Sequence, residues 1–81
     1  MESTTKVYGP IWIDPDRVSG TPCFTGTRVP VQHLFDYVST GERMEEFLLD
    51  FPTVTKEQAV RVLELAGRFV TMERILHEVA A

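Results

Sequence analysis

Cysteine, histidine and basic residues are all scarce in this 81-residue chain, and each shortage excludes something. With Cys23 alone there is no internal disulfide and no cysteine-based zinc cage, so the chain reads as intracellular and metal-free. The two histidines, His33 and His77, are far apart, and no carboxylate spacing marks a ligand set beside either. No apolar run approaches the ~18–20 residues of a membrane span, and no apolar core follows Met1-Glu2-Ser3-Thr4-Thr5-Lys6 as in a secretory signal. A cytoplasmic location is expected. Eight Lys and Arg stand against twelve Asp and Glu, a formal net charge of −4. That balance excludes a generally basic, sequence-blind nucleic-acid binder, a class whose pI normally exceeds about 9.

At 43% hydrophobic residues the chain fits one compact domain over residues 1–81. A domain this short buries only about 60–65% of the surface its unfolded form exposes, so a partner surface is a reasonable expectation. Residues 1–30 hold four of the five prolines and three of the five glycines. There Ile11-Trp12-Ile13 is stopped by Asp14-Pro15-Asp16, and Cys23-Phe24 is bracketed by Gly20-Thr21-Pro22 and Thr25-Gly26-Thr27. Short β-prone pieces between turns predict an irregular hairpin-like arm over 10–30, behind a flexible tail at 1–9.

From Pro30 the period changes from two to 3.6. Val31, Leu34, Phe35 and Val38 make one face of a first helix that Gly41 can end, and Met44, Phe47, Leu48 and Phe51 make a second, closed by Pro52. Thr55 and Gln58 form a capping-box pair that starts a third helix, which can run almost to Ala81 or bend or break at Gly67, where its apolar stripes change over. At 100° per residue that helix carries two apolar stripes: Ala59, Val62, Leu63, Ala66 and Val70, then Leu65, Phe69, Met72, Leu76 and Val79. The second repeats at the a/d spacing of a helix seam. Either it faces a partner, homodimeric or foreign, or the long helix is buried on two sides of its own domain. The expectation is therefore a mainly α fold: a trihelical, helix-turn-helix-like core over 31–70, the β arm before it, and a C-terminal helix over 65–81 with a partner-facing stripe.

For chemistry, Cys23, His33 and Asp36 are the only residues that could be assembled as nucleophile, base and orienting carboxylate. Nothing around Cys23 resembles a nucleophile turn, so no catalytic residue and no cofactor is expected. In a helix-turn-helix the third helix reads DNA, and Lys56, Gln58, Arg61 and Arg68 are the residues that could contact it. The same charges also suit ordinary pairs along the helix, such as Arg61 with Glu64. The excess acid lies between residues 31 and 55, where Arg43 stands against Asp36, Glu42, Glu45, Glu46 and Asp50; the segments before and after are neutral. Carboxylates on the first two helices would be repelled by a phosphate backbone, an objection the third helix escapes.

The run Ile13-Asp14-Pro15-Asp16-Arg17-Val18-Ser19-Gly20-Thr21-Pro22-Cys23-Phe24-Thr25-Gly26-Thr27-Arg28-Val29-Pro30-Val31 resembles the small bacterial proteins of the domain of unknown function family 433. The likeness continues through Gly41-Glu42, Asp50-Phe51-Pro52-Thr53-Val54-Thr55 and the segment from Lys56 to Ala66. It marks Gly26, Thr27, Arg28 and Pro30 as structural signature residues. The resemblance implies a helix-turn-helix-like fold and the role of a VapB-like antitoxin, a homodimer that neutralises a PIN-type ribonuclease toxin and binds operator DNA. A pure dimerisation module is the alternative. Arg28 is expected to bond carbonyls or a carboxylate of the arm. Where family members often open the second helix with serine, this chain has Arg43-Met44, which removes a good N-cap.

Overall fold

A computed structural model describes residues 5–16 and 18–72. Three short strands, β1 (Lys6–Tyr8), β2 (Ile11–Ile13) and β3 (Cys23–Phe24), form an antiparallel sheet in the order β1-β2-β3. Tyr8 pairs with Ile11 across the Gly9-Pro10 turn, and Ile11 pairs with Phe24. Gly9 takes φ +65°, a left-handed conformation that glycine adopts without a steric penalty. The ordered β1 corrects the expectation of a flexible tail through residue 9, because Lys6–Tyr8 lies in register along β2.

The helices are α1 (Gln32–Ser39), α2 (Met44–Asp50) and α3 (Lys56–Val70). Gly41, at φ +88°, follows α1 as a left-handed residue that cannot extend it. α2 begins at Met44 even though Arg43 has no acceptor to offer. The Glu46 carboxylate accepts the Arg43 backbone N–H at 2.9 Å, which is half of a capping box. At α3 both halves form: Thr55 Oγ1 accepts from the Gln58 N–H at 3.1 Å, and Gln58 Oε1 accepts from the Thr55 N–H at 3.0 Å.

α3 stops at Val70, and the Thr71 hydroxyl donates to the Gly67 carbonyl at 2.9 Å. This corrects the reading of one helix running almost to Ala81 and sets the end about one turn past Gly67. Side-chain satisfaction of a last-turn carbonyl, close behind a glycine of low helix propensity, is where a helix gives out. Leu76 and Val79 lie outside the described residues.

The core is small and lies between the sheet and the three helices. Phe24, Leu34 and Phe47 are fully buried, joined by Val31, Val54, Ala59 and Val62. The Phe47 ring is central: its centroid is 5.8 Å from Phe24, 5.4 Å from Tyr37 and 5.1 Å from Phe51. Offset and edge-on aromatic contacts of this kind add about 0.5–1.5 kcal/mol each beyond area burial. Val38, at the end of the expected α1 face, is 46% exposed, so that face is buried only through its first two turns.

Candidate binding surface

The signature segment after β3 is a locked turn. Thr27 donates its backbone N–H to the Phe24 carbonyl at 2.9 Å across Thr25-Gly26, and Gly26 sits at φ +82°. Positive φ at the third position defines a type II turn and accounts for the glycine. Thr27 is buried, and its hydroxyl also donates to the Phe24 carbonyl at 2.9 Å while accepting the Val29 N–H at 3.0 Å. Trp12 Nε1 donates to the Thr27 carbonyl at 2.8 Å. Pro30 bridges to Cys23, and the Val31 N–H reaches the Pro22 carbonyl at 3.0 Å, which delivers the chain into α1. These bonds satisfy the arm without the Arg28 side chain. Arg28 is exposed and makes no hydrogen bond or ion pair with any described residue.

A second lock ties this arm to α3. Thr25 gives its N–H to the Pro10 carbonyl at 2.9 Å and its hydroxyl to the Gly9 carbonyl at 2.8 Å. Its own carbonyl accepts from Gln58 Nε2 at 2.8 Å. Both ends of the Gln58 amide are therefore occupied, one by its helix cap and one by the arm. Of the four residues suggested for nucleic acid, Lys56, Arg61 and Arg68 are exposed on α3, while Gln58 is half-buried. Arg61 lies 3.6 Å from the Glu64 carboxylate. An open groove of about 750 Å³ runs beside them, walled by Gly9, Pro10 and Thr25 of the arm and by Lys56, Val60 and Arg61 of α3.

The apolar stripe at the other end of α3 divides by exposure. Leu65 is half-buried, Phe69 is 60% exposed and Met72 49%, with Val70 beside them at 57%. Of the other stripe, Ala59 and Val62 are core and Leu63 packs against it.

On α1 and α2 the acidic surface gathers around a shallow hollow of about 450 Å³ lined by Asp36, Tyr37, Thr40, Glu42 and Asp50. The Tyr37 hydroxyl donates to Asp50 Oδ2 at 2.5 Å, and that bond holds the phenol above its ordinary pKa. The Glu46 charge next to Glu42 pushes the Glu42 carboxyl up. Cys23 is buried, gives its thiol to the Thr21 carbonyl at 3.3 Å, and has its pKa raised by that burial, the opposite of an activated nucleophile. His33 Nδ1 lies 3.9 Å from Asp36 Oδ2, and the imidazole stacks on Phe51 at 5.6 Å. Among the described residues no group of three or more His, Cys, Asp or Glu is arranged to hold a metal ion, and no helix is long and apolar enough to cross a membrane.

What the fold defines is a small α-rich domain with an N-terminal three-stranded sheet hydrogen-bonded onto its third helix. The chain belongs to the family described as protein of unknown function (DUF433), whose model matches residues 11–66. The matched stretch takes in the locked turn and most of α3, and ends before Phe69 and Met72. No curated protein and no solved structure matches the chain.

Proposed function

We propose that this chain is a non-enzymatic, protein-binding domain of antitoxin type, neutralising a PIN-type ribonuclease toxin through the apolar end of α3. The observation that carries the reading is the set of large apolar side chains left open there: Phe69, Val70 and Met72 are each about half exposed or more, on a domain whose core is complete without them. Exposed clusters of this composition are an aggregation liability unless a partner covers them, and Phe and Met are enriched in protein interfaces.

The finer fold reading belongs with this proposal. Three helices joined by short connections, the third opened by a Thr cap, have the order of a trihelical helix-turn-helix. In that reading α3 meets operator DNA through Lys56, Arg61 and Arg68. The alternative, a dimerisation module that never touches DNA, draws support from Gln58, whose amide oxygen and nitrogen already hold the helix cap and the arm, and from Arg61, which has Glu64 beside it.

Co-expression with the neighbouring reading frame tests the first part. Rescue of growth from a toxic ribonuclease, lost in Phe69→Asp, is the expected result; a harmless neighbour, or rescue indifferent to Phe69→Asp, overturns it. A salt titration of binding to the upstream duplex tests the second. Selective binding that weakens in Arg61→Ala supports operator contact, and affinity no better than for random duplex leaves the dimerisation module.

A further inference from the structure

We propose that the outward face of α3 is a homodimer interface, with two copies of the helix packed antiparallel about a two-fold axis that crosses this face between Arg61 and Glu64. This inference does not rest on the antitoxin reading and uses none of Phe69, Val70 and Met72.

Glu57, Arg61, Glu64 and Arg68 are all exposed, and at about 100° per residue they fall within a strip about 60° wide down the helix. Their signs alternate along it. Laid against a reversed copy, this strip has one register in which every charge meets its opposite. Glu57 then faces the partner's Arg68, Arg61 faces the partner's Glu64, and the two-fold repeats both pairs. A slide of one turn in either direction sets Glu57 against the partner's Glu64, or Arg61 against the partner's Arg68. The pattern is thus self-complementary in a single antiparallel register, as an isologous interface requires.

Gly67 supplies an independent observation. A glycine inside a helix weakens it relative to alanine, so its presence asks for a local reason. The end of α3 close behind it is one such reason, but packing within the chain adds none: φ at Gly67 is not positive, and a Cβ built there meets nothing within 4 Å. Close approach of a second helix is another. On the same flank of the strip lies Val60, and the groove walled by Gly9 and Pro10 is lined by Val60 together with Glu57, Arg61 and Glu64 of the strip itself. In the charge-matched register the partner's Gly67 stands about 3 Å along the axis from Val60. Bare backbone then lies where Val60 and the groove rim can cover it. A face closed in this way is not open to DNA.

Sedimentation equilibrium of the full chain tests the pairing. The expected result is a dimer whose Kd rises about tenfold or more in Glu57→Arg and in Arg68→Glu, and recovers in the double variant. Positions 57 and 68 are about 16 Å apart along one helix, so recovery reports contact between copies. It would occur even though the double variant sets like charges one turn apart along its own helix. Gly67→Leu, with open space around it in the monomer, should weaken the dimer while circular dichroism stays helical. A monomeric wild-type chain, single variants that leave Kd unchanged, or a double variant that does not recover overturns the proposal. So does Glu57→Arg or Arg68→Glu changing affinity for duplex DNA with self-association intact.

Discussion

Replacing Gln58 by alanine separates a side chain that builds the domain from one that reads a ligand. The substitution removes the acceptor that Gln58 Oε1 offers the Thr55 N–H at 3.0 Å and the donor that its Nε2 offers the Thr25 carbonyl at 2.8 Å. Loss of one half of a helix cap costs about 0.5–1 kcal/mol. A part-buried carbonyl left without its donor costs about 1–2 kcal/mol. Alanine returns a few tenths of a kcal/mol through its better helix propensity. The net loss is about 2 kcal/mol, against a total of about 4–12 kcal/mol for a domain of this length. That corresponds to a fall in Tm of about 8–15 °C. Thermal and urea denaturation followed by far-ultraviolet circular dichroism would measure it. Gln58→Glu is the control: a carboxylate still accepts from Thr55 and suits the positive end of the helix dipole, but it cannot donate to Thr25. It should lose the arm contact and keep the cap. A Tm for Gln58→Ala within a degree or two of wild type would refute the reasoning, and a selective loss of duplex binding without loss of stability would return Gln58 to a reading role.

Thr27→Val keeps the shape of a buried residue and deletes its hydroxyl, which leaves the Val29 N–H without its acceptor; the expected loss is about 2 kcal/mol, read as a lower urea midpoint at unchanged m-value. The Glu42 carboxyl has its folded pKa raised, chiefly by Glu46, so the folded chain holds that proton more tightly than the unfolded chain does. The resulting stability is fully present below the ordinary glutamate value and is lost as pH rises through the folded one. Glu42→Gln, which cannot ionise, should therefore melt higher than wild type at neutral pH, with the difference closing toward about pH 4. A pH series of melting curves with parallel traces for the two proteins would contradict that assignment.

The parts of this fold that were legible in the sequence are those whose cause is local. The Thr55–Gln58 cap needs only residues three apart, and both of its bonds form. The core faces of α1 and α2 follow from a 3.6-residue period, with Leu34 and Phe47 at their buried centres. What stayed illegible depends on residues distant along the chain. Lys6–Tyr8 is a strand because β2 lies beside it, and a three-residue strand has no stability of its own to advertise. The Val-Tyr-Gly-Pro-Ile run did carry a hairpin signal, two β-prone pieces around a Gly-containing two-residue turn. Gln58 and Thr25 are 33 residues apart, and no periodicity links them. Arg28 was expected to knit the arm; its neighbour Thr27 does that work instead, because a short hydroxyl can reach its own turn's backbone and a long guanidinium need not.

The same distinction explains why α3 has two unlike halves. Its first half is fixed twice, by Ala59 and Val62 in the core and by Gln58 to the arm, so that half and the sheet turn are tied together. Beyond Leu63 none of its described residues is buried. Its last turns add only the half-buried Leu65 and Ala66 and the Thr71 hydroxyl on the Gly67 carbonyl to the helix's own backbone bonds, and segments with few buried contacts open at low free-energy cost. A partner that covers Phe69 and Met72 would therefore gain affinity from fresh apolar area without disturbing Phe24, Leu34 or Phe47. It would also order the end of the helix on binding. Amide exchange should then slow at Arg68–Thr71 when a partner is bound and stay unchanged at Ala59 and Val62. Uniform slowing along α3 would mean that the whole domain, and not its end, responds to the partner.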